Sequence, residues 1–201
     1  MSRLLLVRHG ETALNSSERY WGHTDVELSE TGIRQAERLR DCLAEEKVDA
    51  VYSSPLIRAR VTAEVIISGR GLAVVTCPEL REVNFGKLEG LTFGEINGLY
   101  PEVVKLWVER SPELKYPDGE SIADFDRRVG QFVARLQKHI PEETILIVAH
   151  SGALRVLMCR LLGLEVAHWR QLRLDLASVS ILETYPQGAI INQLNELCHL
   201  K

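Results

Sequence analysis

Five short runs of mostly apolar residues, each closed by polar or turn-forming positions, punctuate the chain: residues 3–8 (RLLLVR), 49–53 (DAVYS), 72–77 (LAVVTC), 144–149 (TILIVA) and 178–184 (SVSILET). Their length and their leucine and β-branched content predict strands. LLLV and ILIV show no apolar–polar alternation, as expected of strands covered on both faces. Between them the apolar spacing turns helical. From Glu30 to Glu46, Ile33, Ala36, Leu39 and Leu43 recur on one face behind Ser29, a candidate N-cap. Ser54-Pro55 predicts the opening of a second helix, with Ser as cap and Pro in the first turn. A third helix is predicted from Ile122 to His139 behind Ser121, with Phe125, Val129, Phe132, Val133 and Leu136 as its stripe. A fourth follows His150, carries Ala153, Leu154, Leu157, Leu161 and Leu162, and stops at Gly163. Strand and helix alternate, which predicts an α/β fold of three layers: a mostly parallel central sheet with helices on both faces.

The rhythm breaks from about Leu80 to Glu120. Two short helical pieces, Thr92 to Tyr100 and Pro101 to Arg110, precede the turn-rich PELKYPDGES, and Thr92 with Glu95 fits a capping box. So few aliphatic residues could hardly form a core of their own, so we read 83–120 as an insertion covering the active site within a single domain, 1–201. The C-terminal segment from Ala189 to Lys201 reads either as an edge strand with a tail or as part of a homodimer contact.

Composition narrows the class. A chain of 201 residues, 45% hydrophobic and 26% charged, has the balance of a soluble globular protein and can build a core without disulfide or metal. A net charge of −4 argues against nucleic acid as a partner, since binding a phosphate backbone needs a clustered basic excess. No apolar run approaches the length of a membrane span, and the N-terminus lacks the pattern of a signal peptide. A cytoplasmic location and no membrane partner are expected. Cys42, Cys77, Cys159 and Cys198 are widely separated and suggest neither a zinc site nor a disulfide framework.

Two histidines stand directly after buried-type strands, His9 after LLLVR and His150 after ILIVA. In open α/β sheets the loops beyond the carboxyl ends of strands form the ligand crevice, so the two could face one cleft. Arg8 precedes His9, and Arg58 lies about one turn into the second helix. The planar, permanently charged guanidinium suits a phosphate. Gly10 and Gly152 would permit close backbone approach, and a helix N-terminus after His150 would add N–H donors for an anion.

With these residues in place, the motifs RHGET, WGHTDVELSETGIRQA, SSPLIRARVTAE, PELREVNFGKLEG, PDGES and VAHSGALR resemble the histidine phosphatase superfamily, also called phosphoglycerate-mutase-like, in its order and over nearly the whole chain. The resemblance implies an α/β fold, no metal or other cofactor, and a phosphohistidine intermediate. His9 matches the nucleophile. Arg8, Arg58 and His150 match the groups that hold the transferring phosphoryl, and Asn15 matches a further donor. Glu82, two residues after Leu80 and four before Gly86, matches the acid of the family's strand-end loop.

The mechanism expected is a two-step displacement. A neutral His9, its tautomer fixed by an acceptor such as a backbone carbonyl, attacks phosphorus. Arg8, Arg58, Asn15 and a protonated His150 surround the equatorial oxygens. Glu82, protonated beside the phosphate dianion, donates to the leaving oxygen and then accepts a proton from water. The short stretch between Glu82 and His150, the motif VNFGKLEGL and the absence of arginine at Val83 favour hydrolysis over a mutase. FG-x-x-EG followed by PDGES resembles the α-ribazole-5′-phosphate phosphatases of cobalamin biosynthesis, so a small phosphorylated metabolite, α-ribazole 5′-phosphate foremost, is the expected partner. Phosphatases of sugar phosphates, phosphoserine or phosphoglycerate share much the same motifs, and an inactive phosphate-binding module is the non-enzymatic alternative. Tyr20, Trp21, His23, Phe85, Trp107 and Tyr116 are candidates to line a pocket for a base-bearing substrate.

Overall fold

The computed structural model describes residues 2–14, 18–139 and 141–201. Six strands form one sheet, β1 (Ser2–Arg8), β2 (Ala50–Ser53), β3 (Val74–Thr76), β4 (Thr144–Ala149), β5 (Val179–Tyr185) and β6 (Gly188–Glu196), in the order β3-β2-β4-β1-β5-β6. The helices are α1 (Glu30–Cys42), α2 (Ile57–Ile66), α3 (Phe93–Leu99), α4 (Pro101–Val108), α5 (Ile122–Leu136) and α6 (Ser151–Leu162).

Consecutive side chains of β1 point to opposite faces, and both faces are apolar. Leu5 and Val7, with Leu146 and Val148 of β4, pack against Leu39 of α1 and Ala59, Ala63 and Ile66 of α2. Leu4 and Leu6, with Ile145 and Ile147, pack against Phe125, Val129 and Phe132 of α5 and Leu154 and Leu157 of α6. This two-sided burial explains the unalternated runs LLLV and ILIV and makes the molecule three-layered.

The sheet is mixed. β3, β2, β4 and β1 are parallel, whereas β5 pairs antiparallel with β1 and β6 antiparallel with β5. Only Pro186 and Gln187 separate β5 from β6, and a connection that short can only reverse the chain. The C-terminal segment thus supplies an edge strand, followed by a 3-10 turn at Cys198–Leu200.

The expected caps of α1, α3 and α5 are present: Gly32 N–H donates to Ser29 Oγ, Asp124 N–H donates to Ser121 Oγ, and Thr92 and Glu95 exchange both bonds of a capping box. The second helix departs from the expectation. It starts at Ile57 behind Leu56, too late for Ser54 to be its N-cap, and the Ile57 N–H donates to Asp25 Oδ1 at 2.7 Å instead. The segment 83–120 has no separate core; Leu88, Ile96, Val103, Val104 and Leu114 join the cluster on the α5–α6 face. Among the described residues no helix is long and apolar enough to cross a membrane.

Candidate active site

The carboxyl ends of the three central parallel strands finish level with one another. Arg8 of β1 lies opposite Ala149 of β4, and Ser53 of β2 opposite Val148. The residue after each strand therefore emerges at the same edge: His9, Ser54 and His150. Backbone bonds lock this alignment, from His9 N–H to Ala149 O at 3.0 Å and from Ser54 N–H to Val148 O at 3.1 Å. The His9 and His150 rings meet edge to face with centroids 5.0 Å apart. Arg8, His9, Arg58, Glu82 and His150 all line one cavity of about 390 Å³. Asn15 lies outside the described residues.

His9 is 6% exposed, and its Nδ1 lies 2.7 Å from Gly10 O. A carbonyl only accepts, so Nδ1 carries the proton and Nε2 is left with its lone pair. Burial, then the positive charges of Arg58 and Arg8, push the imidazole well below its ordinary value of 6.5 and keep it neutral. The tight loop after His9 needs glycines: a Cβ on Gly10 would stand 2.6 Å from Gly32 O.

Arg58 sits in the first turn of α2, 2% exposed. Its Nη1 donates to Thr24 O at 2.9 Å, its Nη2 to Gly22 O at 2.8 Å, and its Nε to His150 Nδ1 at 3.3 Å. These bonds draw the segment WGHT over the site and leave two of the five N–H groups for another acceptor. Arg8 donates through Nη1 to Leu174 O at 2.7 Å, while its buried Nε has no partner. Burial pulls its pKa down to about 10, Glu82 opposing, so it remains a cation at neutral pH.

Because Arg58 donates to His150 Nδ1, that nitrogen holds a lone pair and Nε2 donates to Ser54 Oγ at 2.8 Å. Burial and the neighbouring Arg58 push His150 well below its ordinary value. Without an anion in the cavity the imidazole is held neutral, since burial, Arg58, His9 and Arg8 all oppose a charge on it; the protonated His150 expected around a phosphoryl group belongs to the substrate complex. Ser54 Oγ also accepts from Leu56 N–H at 3.3 Å, just ahead of α2.

Glu82 ends the loop after a 3-10 turn, Pro78–Leu80. Its Oε1 accepts from Val83 N–H at 2.9 Å and its Oε2 from Gly152 N–H at 3.0 Å, which aims the carboxyl at the N-terminus of α6. Glycine at 152 lets the carboxyl come this close, since a Cβ would stand 2.2 Å from Glu82 Oε1 and push the side chain aside.

Of the aromatic candidates, Tyr20, Trp21, Phe85 and Trp107 line the cavity. Tyr116 is fully buried behind them, edge-on to Phe85 and Trp107, and His23 lies behind Glu82 with Nε2 3.1 Å from Glu82 O. Sequence reading missed Ser54, Arg155, Trp169 and Arg170. Ser54 was read as a helix cap. Arg155 stands within VAHSGALR, four residues after Ser151 and hence on the same helical face, a signal that was available. Trp169 and Arg170 come from an irregular 3-10 segment, Val166–Gln171, whose position no periodicity reveals. Arg170 stacks over Trp107 and Trp169, 5.2 Å from each ring centre, and donates to Trp107 O at 2.5 Å, tying α4 to the body of the fold.

Comparison with known proteins agrees with this geometry. The family model of the histidine phosphatase superfamily (branch 1) matches residues 4–197. Phosphoserine phosphatase 1 of Hydrogenobacter thermophilus is 34% identical over 200 residues, covering 100% of this chain and 95% of that protein. The adenosylcobalamin/alpha-ribazole phosphatase of Escherichia coli is 34% identical over 193 residues, covering 96% and 95%. The crystal structure of the alpha-ribazole phosphatase from Shigella flexneri superposes with a TM-score of 0.89 at 34% identity, covering 96% of both chains. With the strand-end histidines, the arginines and the carboxyl gathered in one cavity, and with a family match over almost its full length, the chain is a phosphatase belonging to the histidine phosphatase superfamily.

Proposed function

We propose that the protein is a metal-independent phosphomonoester hydrolase that passes the phosphoryl group through Nε2 of His9, with α-ribazole 5′-phosphate as substrate. The observation that carries this reading is the neutral His9 whose tautomer is held by Gly10 O in a cavity also lined by Arg8, Arg58 and Glu82. The Nε2 lone pair attacks phosphorus as the bond to the leaving oxygen breaks. Arg8 and the two uncommitted N–H groups of Arg58 take up charge on the equatorial oxygens, the part a metal ion plays in other phosphatases. Asn15 is assigned the same role on its motif alone. An arriving dianion also favours a proton on His150, which would release Arg58 Nε–H toward the phosphoryl group. Glu82 donates a proton to the departing oxygen; it then takes one from the water that attacks phosphohistidine, releasing inorganic phosphate.

The aromatic wall of Tyr20, Trp21, Phe85, Trp107 and Trp169 supports a base-bearing leaving group, in line with the relatives named for α-ribazole. A second reading, a substrate whose alcohol carries a carboxylate such as phosphoserine, is favoured by Arg155 and Arg170. Both line the cavity, and Arg155 Nε is buried without a hydrogen-bond partner.

The test is release of inorganic phosphate in excess chelator from α-ribazole 5′-phosphate, phosphoserine, 3-phosphoglycerate, sugar phosphates and 4-nitrophenyl phosphate, with His9→Ala as control. A dominant rate on α-ribazole 5′-phosphate and none in His9→Ala is the expected outcome. Preference for phosphoserine selects the second reading, and activity that survives in His9→Ala or vanishes with chelator overturns the mechanism.

A further inference from the structure

The loop that carries Glu82 is fastened from behind by one side chain. Arg128, in the middle of α5, donates through Nη1 to Glu79 O and Arg81 O, each at 3.0 Å, and at 3.4 Å to Pro78 O; through Nη2 it donates to Glu82 O at 3.1 Å. Its Nε and Nη2 also grip Glu120 at 2.7 and 2.8 Å, a two-pronged pair in which both side chains are more than four-fifths buried. Glu120 belongs to PDGES and repeats the fastening one residue beyond Val83. It accepts from Asn84 N–H at 2.9 Å, and its own N–H donates to Asn84 O at 3.0 Å. The guanidinium also lies 5.1 Å above the Phe125 ring, which limits its lateral freedom.

Four carbonyls in five residues converge on one cation, an arrangement that no helix or strand provides for this loop. Arg128 is not among the residues that line the cavity. Its contact with the chemistry runs through the backbone of residues 78–84, which sets where the Glu82 carboxyl points, while its charge is also felt at His150.

We propose that Arg128, braced by Glu120, is the positioning residue for the proton-donating carboxyl of Glu82. The proposal rests on the reading of Glu82 as the proton donor. A group that positions a general acid matters only when the leaving oxygen needs a proton. An alkyl ester expels a strongly basic alkoxide and needs it; 4-nitrophenyl phosphate expels a stabilised phenolate and hardly does.

The experiment compares kcat/KM, which reports the steps up to departure of the alcohol, for 4-nitrophenyl phosphate and for the fastest alkyl ester among α-ribazole 5′-phosphate, phosphoserine and 3-phosphoglycerate. The variants are Glu82→Gln, Arg128→Met, Arg128→Lys and Glu120→Gln. The expected result is a fall in the alkyl-to-aryl ratio of about 10²-fold in both Glu82→Gln and Arg128→Met, the scale of lost general-acid catalysis. Smaller falls in the same direction are expected for Arg128→Lys and Glu120→Gln, which retain part of the fastening and carry the test if Arg128→Met does not fold. An unchanged ratio in the Arg128 and Glu120 variants, with both substrates slowed alike, overturns the positioning role. An unchanged ratio in Glu82→Gln overturns the assignment of the acid itself, so the two failures are distinguishable.

Discussion

At His9, the Nδ1–H donates to the next residue's carbonyl and the ring has two arginines for neighbours. Both the tautomer and the protonation state are set before any substrate arrives. Because the folded pKa of His9 lies well below 6.5, the neutral ring persists as pH falls through that value, whereas an exposed histidine would charge. The His9 ring resonances in NMR should accordingly show no titration between about pH 8 and pH 6. A midpoint near 6.5 would mean that the ring is neither buried nor crowded by cations. The sign for stability follows from the same shift and from that of His150. The unfolded chain takes up protons that the fold refuses, so stability is full above the ordinary value and declines as pH falls below it toward the depressed folded values. The urea midpoint should drop between about pH 7.5 and pH 5.5. Much of this was legible: the histidines, Arg8, Arg58 and Glu82 were identified from motif and placement after strands. The role of His150 Nδ1 as an acceptor was not, because it depends on Arg58, 92 residues away in sequence, reaching it.

Among the elements, α6 meets the Glu82 loop at its first turn. Gly152 offers its N–H to the carboxylate and leaves no room for a larger residue. Gly152→Ala should displace Glu82 and lower kcat on alkyl esters by about 10²-fold, with a stability cost of about 1–3 kcal/mol from the intruding methyl. Steady-state rates and a thermal melt check this; wild-type kcat would show that the carboxyl does not need its bond to α6. The C-terminal strand β6 also reaches the site indirectly. Asn195 accepts from Asp175 N–H at 2.6 Å and donates to its carboxylate at 2.8 Å, steadying the loop whose Leu174 O anchors Arg8. Caps and apolar stripes made α1, α3, α5 and α6 readable. They could not show that α2 starts at Ile57 with its first N–H taken by Asp25, 32 residues away, or that Ser54 also meets His150, since such partners are brought close only by the fold.

For the whole molecule, the central sheet supports both the core and the site, because the strands whose ends carry His9, Ser54 and His150 are also its most buried. Leu146 in β4 is fully buried against the α1–α2 layer. Leu146→Ala should cost about 2–5 kcal/mol, a drop in Tm on the order of 5–20 °C, while kcat of the folded enzyme stays close to wild type. A melt unchanged within a degree or two would show that the cavity collapses around the smaller side chain. The sequence by itself determined the α/β class, the central strands, the principal helices and five residues that meet in one cavity, Arg8, His9, Arg58, Glu82 and His150. These depend on local periodicity, local capping and motif chemistry, all of which are written along the chain. Tertiary structure alone decided the antiparallel turn of β5 and β6, the bond from Arg58 to His150, the place of Trp169 and Arg170 in the cavity wall, and the fastening of the Glu82 loop by Arg128. Each of these depends on residues far apart in sequence, whose distances are set only when the layers pack.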